Sequence, residues 1–149
     1  MKILLASALL CLLAACDNLD QVKKHYATRS EAEADHLFQR GWLPSVIPLS
    51  SVKIITENDL DLNLSSGEFS FDPSEASAFI SHLQPAAGLK TPWDINKEVQ
   101  EKAAKGYGVF TYADSDSRWI FYINPIRGHA YYDLWMLERT ANHVVQPMR

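Results

Sequence analysis

Cys16 is the residue on which chemistry can be argued most directly. It closes Leu13-Ala14-Ala15-Cys16, where an apolar run stops and a polar one starts. A sulfur behind two alanines offers a nucleophile for alkylation, and the small side chains suit a peptidase cutting between Ala15 and Cys16. Cys11, the other cysteine, lies inside the apolar run and leaves with it. The body then keeps no free thiol and no disulfide, which removes thiol catalysis and Cys-ligated zinc. His25, His36, His82, His129 and His143 never stand two to five residues apart, so the chain spells out no local metal-binding pair. Asn58-Asp59-Leu60-Asp61-Leu62-Asn63 starts like a calcium loop. Counted from Asp59, however, Leu64 stands where glycine is required and Ser70 where a bidentate Glu is required. Polar residues alternating with leucine read better as a half-buried strand. No Gly-x-Ser-x-Gly turn, phosphate loop or dinucleotide fingerprint is present. No catalytic residue, metal or cofactor is therefore assigned. The enzyme alternative needs Arg40, Asp59, Asp61 and a histidine to converge on a cleft.

What positions Cys16 is the segment before it. Met1-Lys2 is a short positive start, and residues 3–15 hold Ser7 as their single polar member. Thirteen residues fit a signal-peptide core and fall short of the roughly 20 that a spanning helix needs. The stretch resembles the lipobox of bacterial lipoproteins. That resemblance implies a signal peptide over residues 1–15, cleavage before Cys16, a lipid such as palmitate on its sulfur, and a periplasm-facing place in the cell envelope. Asp17 resembles the signal that holds such proteins at the inner membrane. Residues 16–27 are polar, carry Lys23 and Lys24, and read as a tether leading into a helix.

Composition sets the class of the rest. With 149 residues, 47% of them apolar and 21% charged, the expectation is one globular domain, over residues 28–140, with a frayed tail at 141–149. The formal charge is −4 and becomes more negative once Lys2 is removed. Without a basic block the chain is a poor match for nucleic acid, whose phosphates need clustered cations.

Ser30-Glu31-Ala32-Glu33 has capping-box spacing and predicts a helix over 30–40, ended by Gly41. Pro44 and Pro48 bracket an apolar loop that suits neither a helix nor a central strand. Residues 52–56 are β-branched, hence a strand. Residues 60–64 and 68–71 are expected to pair over a Ser65-Ser66-Gly67 turn. Asp72-Pro73-Ser74-Glu75 starts a second helix that buries Ala76, Phe79, Ile80 and Leu83. A thin helix over 94–105 is expected to be largely exposed. Strands at 107–113, 118–124 and 129–137 complete the pattern. The fold class expected is α+β: an antiparallel sheet of about five strands with two main helices on one face.

Arg40-Gly41-Trp42-Leu43-Pro44, Pro48, a β-branched run, Asn58-Asp59-Leu60-Asp61-Leu62-Asn63 and a Gly-x-Phe-x-Phe strand together resemble the YbbD-type head domain, a family of small bacterial proteins. The likeness covers residues 31–72, with a looser aromatic hairpin near the C-terminus. It implies one small α+β domain, often lipid-anchored. No activity is established for the family.

Aromatic density in the last three strands is the remaining feature. Tyr112, Trp119, Tyr122, Tyr131 and Trp135 are the candidate binding face, because amphipathic aromatics are enriched in contact patches. The competing reading makes them core filler. The function expected is an envelope lipoprotein that binds a protein or small ligand without catalysis. Its membrane partner is reached through Cys16. A self-assembling structural lipoprotein is the third reading.

Overall fold

Alternation of apolar and polar residues builds most of this protein. In the computed structural model, residues 21–87, 91, 94–115 and 117–136 are described. Cys16, the signal segment, Asp17 and the tail at 141–149 lie outside them.

The strands are β1 (Gln21–Thr28), β2 (Val52–Asp59), β3 (Leu64–Ser70), β4 (Gln84–Pro85), β5 (Gly108–Asp114), β6 (Ser117–Asn124) and β7 (His129–Met136). They form one sheet in the order β1-β2-β3-β7-β6-β5-β4, with every pair antiparallel. The helices are short: α1 (Arg29–Ala34), α2 (Ala76–Ser81) and α3 (Asn96–Ala103). The expected α+β fold, five strands under two main helices, is therefore overturned. This is a seven-stranded antiparallel sheet with small helical pieces.

Two strands were hidden for physical reasons. β4 is only two residues long. β1 overlaps the tether expected over residues 16–27, because its polar residues dominate. Its inward side chains tell otherwise: Tyr26 is buried, and its hydroxyl donates to Asp35 Oδ2 at 2.6 Å.

The first helix starts earlier and stops sooner than expected. Thr28 is the cap, accepting from Glu31 N, while Glu31 Oε2 accepts from Ala27 N. Termination comes at His36, which takes φ 56. Leu37 N then donates to Ala32 O and His36 N to Glu33 O, a Schellman closure. One turn later Gly41, at φ 74, repeats it: Trp42 N reaches Leu37 O and Gly41 N reaches Phe38 O. Gly41 ends the segment as expected, but the segment is two short turns rather than one helix.

The β2–β3 connection is also shifted. Residues 60–63 make the turn, where Asp59 Oδ1 accepts from Leu62 N at 2.8 Å and Asn63 takes φ 56. Ser65-Ser66-Gly67 is mid-strand, with both serines buried. Gly67 is required there: a Cβ would lie 2.0 Å from Ile55 O and 2.8 Å from Tyr132 Cε1.

The two sheet faces carry two cores. One is large and holds Tyr26, Ile54, Phe69, Phe121, Ile123, Tyr132 and Leu134 beneath α1, the proline loop and α2. Phe79 from α2 meets Phe71 and Phe121 nearly edge-on, at 5.8 and 5.5 Å between centroids, the arrangement that ring quadrupoles favour. The other face holds Leu64, Tyr107, Ile120, Tyr122 and Trp135, with Ile95 and Val99 packed against them. α3 is largely exposed, as expected, with Val99 and, at its cap, Ile95 as its partly buried contacts.

Candidate functional site

The proline loop holds itself with few backbone bonds, Ile47 N to Pro44 O and Ser51 N to Pro48 O. Pro44 and Pro48 remove two donors, so other carbonyls of the loop take side-chain donors. Arg29 supplies them. Its guanidinium donates to Ile47 O, to Pro48 O at 3.4 Å and to Ser45 O at 3.1 Å, while lying 4.8 Å from the Phe38 ring centroid. Glu33 steers it through Arg29 Nε at 2.8 Å. Ser51 Oγ adds a 2.6 Å bond to Pro48 O.

Opposite the loop stands α2, launched by Asp72, which accepts from Ser74 N, and by Pro73. That bond holds the Asp72 carboxyl below the usual carboxylate range. Glu75 ties the two walls by accepting from Ser50 N at 3.4 Å. Between them lies a groove of about 580 Å³, lined by Val46, Pro48, Leu49, Phe79, His82 and Tyr112 among others. The size falls in the range of about 300–1,000 Å³ typical of ligand sites. Its lining is apolar apart from Ser45, one carboxylate (Glu75), one imidazole (His82) and the Tyr112 hydroxyl. Leu49 at this groove is 79% exposed.

Titratable groups converge elsewhere, on the opposite face. His129 Nδ1 lies 3.1 Å from the Tyr107 hydroxyl, and Nε2 lies 3.8 Å from Glu68 Oε2. Burial pushes the imidazole below its ordinary value of 6.5; Glu68 opposes this, while Lys102 and Arg127 add to it. Lys102 sits over the Tyr131 ring. A Glu–His–Tyr string can pass a proton, but Tyr107 is buried and packs on the half-buried rings of Tyr131 and His129. We read it as a joint between the exit of α3 and β7.

A third polar cluster sits where α1 meets β1. Asp35 takes Lys24 Nζ and Tyr26 Oη, each at 2.6 Å, on Oδ2, and Arg40 Nη2 at 2.9 Å on Oδ1. Hydrogen bonds from Lys24 and then Tyr26 hold its carboxyl well below the usual carboxylate range. Burial, then Asp35, pushes the Tyr26 hydroxyl up to about 12.

These placements decide the sequence-predicted residues. Arg40 pairs with Asp35 on the side of the sheet that carries Tyr26. Asp59 follows the opposite alternation, pairing across to Leu64 of the second core, and is spent on the turn. Arg40 and Asp59 are therefore not brought together. Among the described residues no group of three or more His, Cys, Asp or Glu could hold a metal ion.

The aromatic face is corrected as well. Trp119, Tyr122 and Trp135 are buried, at 2%, 0% and 3% exposure. Tyr112 and Trp119 belong to the first core, Tyr122, Tyr131 and Trp135 to the second. Alternation split the five between two cores, so they form no common surface. Tyr112, half-buried, keeps a place in the groove. The sequence reading missed Arg29 and α2 as parts of a site. The signal available for the groove was the apolar residues held between two prolines.

Residues 20–70 match the family model of the YbbD head domain, a stretch shorter than half the chain. The resemblance drawn from Arg-Gly-Trp-Leu-Pro and the strands after it holds over those residues, and it extends back to take in β1. The family is one of unknown function. Neither the curated proteins nor the solved structures gave a match. No described helix is long and apolar enough to cross a membrane.

Proposed function

We propose that this protein is a lipid-anchored envelope protein acting as a non-catalytic binding module, with the groove between the proline loop and α2 receiving an apolar segment of a protein partner. The observation that carries this reading is the groove itself: an apolar trough of about 580 Å³ with Leu49 exposed at its side and Arg29 holding one wall rigid. A pre-formed wall lowers the ordering cost of binding. Leu13-Ala14-Ala15-Cys16 supports the anchor. A non-catalytic reading is preferred because Arg40 pairs with Asp35 and Asp59 bonds Leu62 N, each spent on local structure.

A photoreactive residue at Leu49, compared with one at Ser30 on exposed α1, tests the reading in intact envelope. Cross-links to a defined protein at Leu49 that vanish in Ala78→Trp, which fills the groove, are the expected result. Equal cross-linking at both positions, or insensitivity to Ala78→Trp, overturns it. Cys16→Ser tests the anchor separately: the protein should leave the membrane fraction.

A further inference from the structure

Little chain separates the sulfur from the sheet. β1 begins at Gln21, five residues after Cys16. An extended chain advances at most ~3.3–3.6 Å per residue, so these steps span no more than about 18 Å whatever path they take. The polar layer on each side of a bilayer is roughly 5–8 Å deep. A domain tethered at Cys16 therefore keeps the starting end of β1 at the membrane surface.

Strand register says what else lies at that end. Gln21 pairs with Asp59, and Asp59 with Leu64, so the β2–β3 turn stands beside the start of β1. β7 finishes there too, with Leu134 opposite Ser65. The turn carries Leu60 and Leu62, 51% and 40% exposed. The other exposed large apolar side chains among the described residues are Leu49 and Ile126. Leu49 precedes the start of β2. Ile126 sits in the β6–β7 turn, whose Gly128 O accepts from Phe71 N just past β3. Both belong to the opposite end of the sheet.

The turn is built to aim its leucines outward. Asp59 folds its carboxylate back onto Leu62 N, and the Asn63 side-chain amide lies against the Met136 sulfur. Asp59 and Asn63 are engaged within the protein while the two leucines are exposed.

We infer that the β2–β3 turn is a membrane foot, with Leu60 and Leu62 entering the interfacial layer of the bilayer to which Cys16 is tethered. This rests on the lipid-anchor reading above. The charges around the foot choose the surface. Asp61 and Asp114 are exposed at this end, Lys23 is paired with Glu57, and Arg118 is turned onto Ser115 O and Ser117 O. With Asp61 and Asp114 as exposed carboxylates among the described residues, the foot suits zwitterionic head groups and enters shallowly; anionic lipid repels it.

The test uses the lipidated full chain in phosphatidylcholine vesicles. Cleavage removes Cys11 and lipid blocks Cys16, so Leu62→Cys or Ile126→Cys takes a polarity-sensitive fluorophore at one place. The label at 62 should shift to the blue, lose access to aqueous iodide and be quenched by spin-labelled lipid. The label at 126 should behave as in water. Adding phosphatidylserine should reverse the shift at 62. If the protein sediments with vesicles through Cys16 while both labels stay equally wet, the foot is refuted and the anchor stands. If sedimentation is unchanged by Cys16→Ser, or absent in the unsubstituted protein, the anchor falls and the foot with it.

Discussion

Gly67→Ala is the substitution on which the strand register can be judged. Gly67 pairs with Thr56 on one side and Tyr132 on the other, in the interior of the sheet. A methyl group there would stand 2.0 Å from Ile55 O, where real contacts are essentially never under 3.0 Å, so β2 and β3 must part by about 1 Å. Strands hydrogen-bond at roughly 4.7–4.9 Å spacing, so such a displacement strains the ladder bonds on either side. Overpacking of this kind costs about 1–3 kcal/mol. Weakened backbone bonds add ~0.5–1.5 kcal/mol each. A total of about 2–5 kcal/mol is a large part of the roughly 5–15 kcal/mol that holds a domain folded. Urea unfolding followed by tryptophan fluorescence reads it directly, because Trp42, Trp119 and Trp135 are all buried. Gly41→Ala is the comparison: φ is +74, with nothing within 4 Å of the added Cβ. It should therefore lose only the ~1–2 kcal/mol of a left-handed non-glycine residue. A Gly67→Ala midpoint within ~0.5 kcal/mol of the parent would refute the register, since that is ordinary surface tolerance. So would a larger loss in Gly41→Ala.

Three further outcomes follow from the same geometry. Arg29→Lys keeps the charge but cannot fork across Ser45, Ile47 and Pro48 carbonyls; it should cost about 1–3 kcal/mol and speed amide exchange at residues 49–51, and an unchanged exchange rate would remove Arg29 from its role. Ser65 Oγ donates to Asn58 Oδ1 at 2.7 Å and meets the Tyr132 hydroxyl at 3.0 Å. Tyr132→Phe should therefore cost ~1 kcal/mol and Ser65→Ala more, because the latter strands two buried partners; the reverse order in urea melts would contradict the network. His129 has its folded value depressed below 6.5, so the unfolded chain binds the extra proton first. Its contribution is complete above pH 6.5 and is lost as pH falls through the lower folded value. His129→Gln should flatten the acid-side decline of the melting temperature in that window, and a parallel decline in both proteins would place the cause elsewhere.

Some of this molecule could be read without coordinates because local chemistry decides it. The β5–β6 hairpin and β7 stand where alternation put them, since period-2 patterning with a polar turn leaves few options. Asp72-Pro73 starts its helical segment, because a cap and a proline act within one turn. Gly41 and Gly106 end theirs at positive φ. The stretch resembling the YbbD-type head domain was legible from a handful of spaced residues.

Other features depend on what lies across the sheet. A polar strand such as β1 is recognisable only once Asp35 and β2 supply partners for Tyr26 and Lys24. Ser65-Ser66-Gly67 has turn composition, yet it became an inner strand because only a glycine lets Ile55 O and Tyr132 approach so closely. The aromatic residues were correctly placed in strands, but which face each one buries, and against which helix, is a property of the packed layers. The groove belongs to the same class: its walls lie thirty residues apart in the chain and meet only because Phe79 and the proline loop cover one core. The expectation of a leader ending at Cys16 rests on consecutive residues alone. The number of strands, the fate of the aromatics and the end of the sheet that carries Leu60 and Leu62 were settled by long-range contact, which no local pattern encodes.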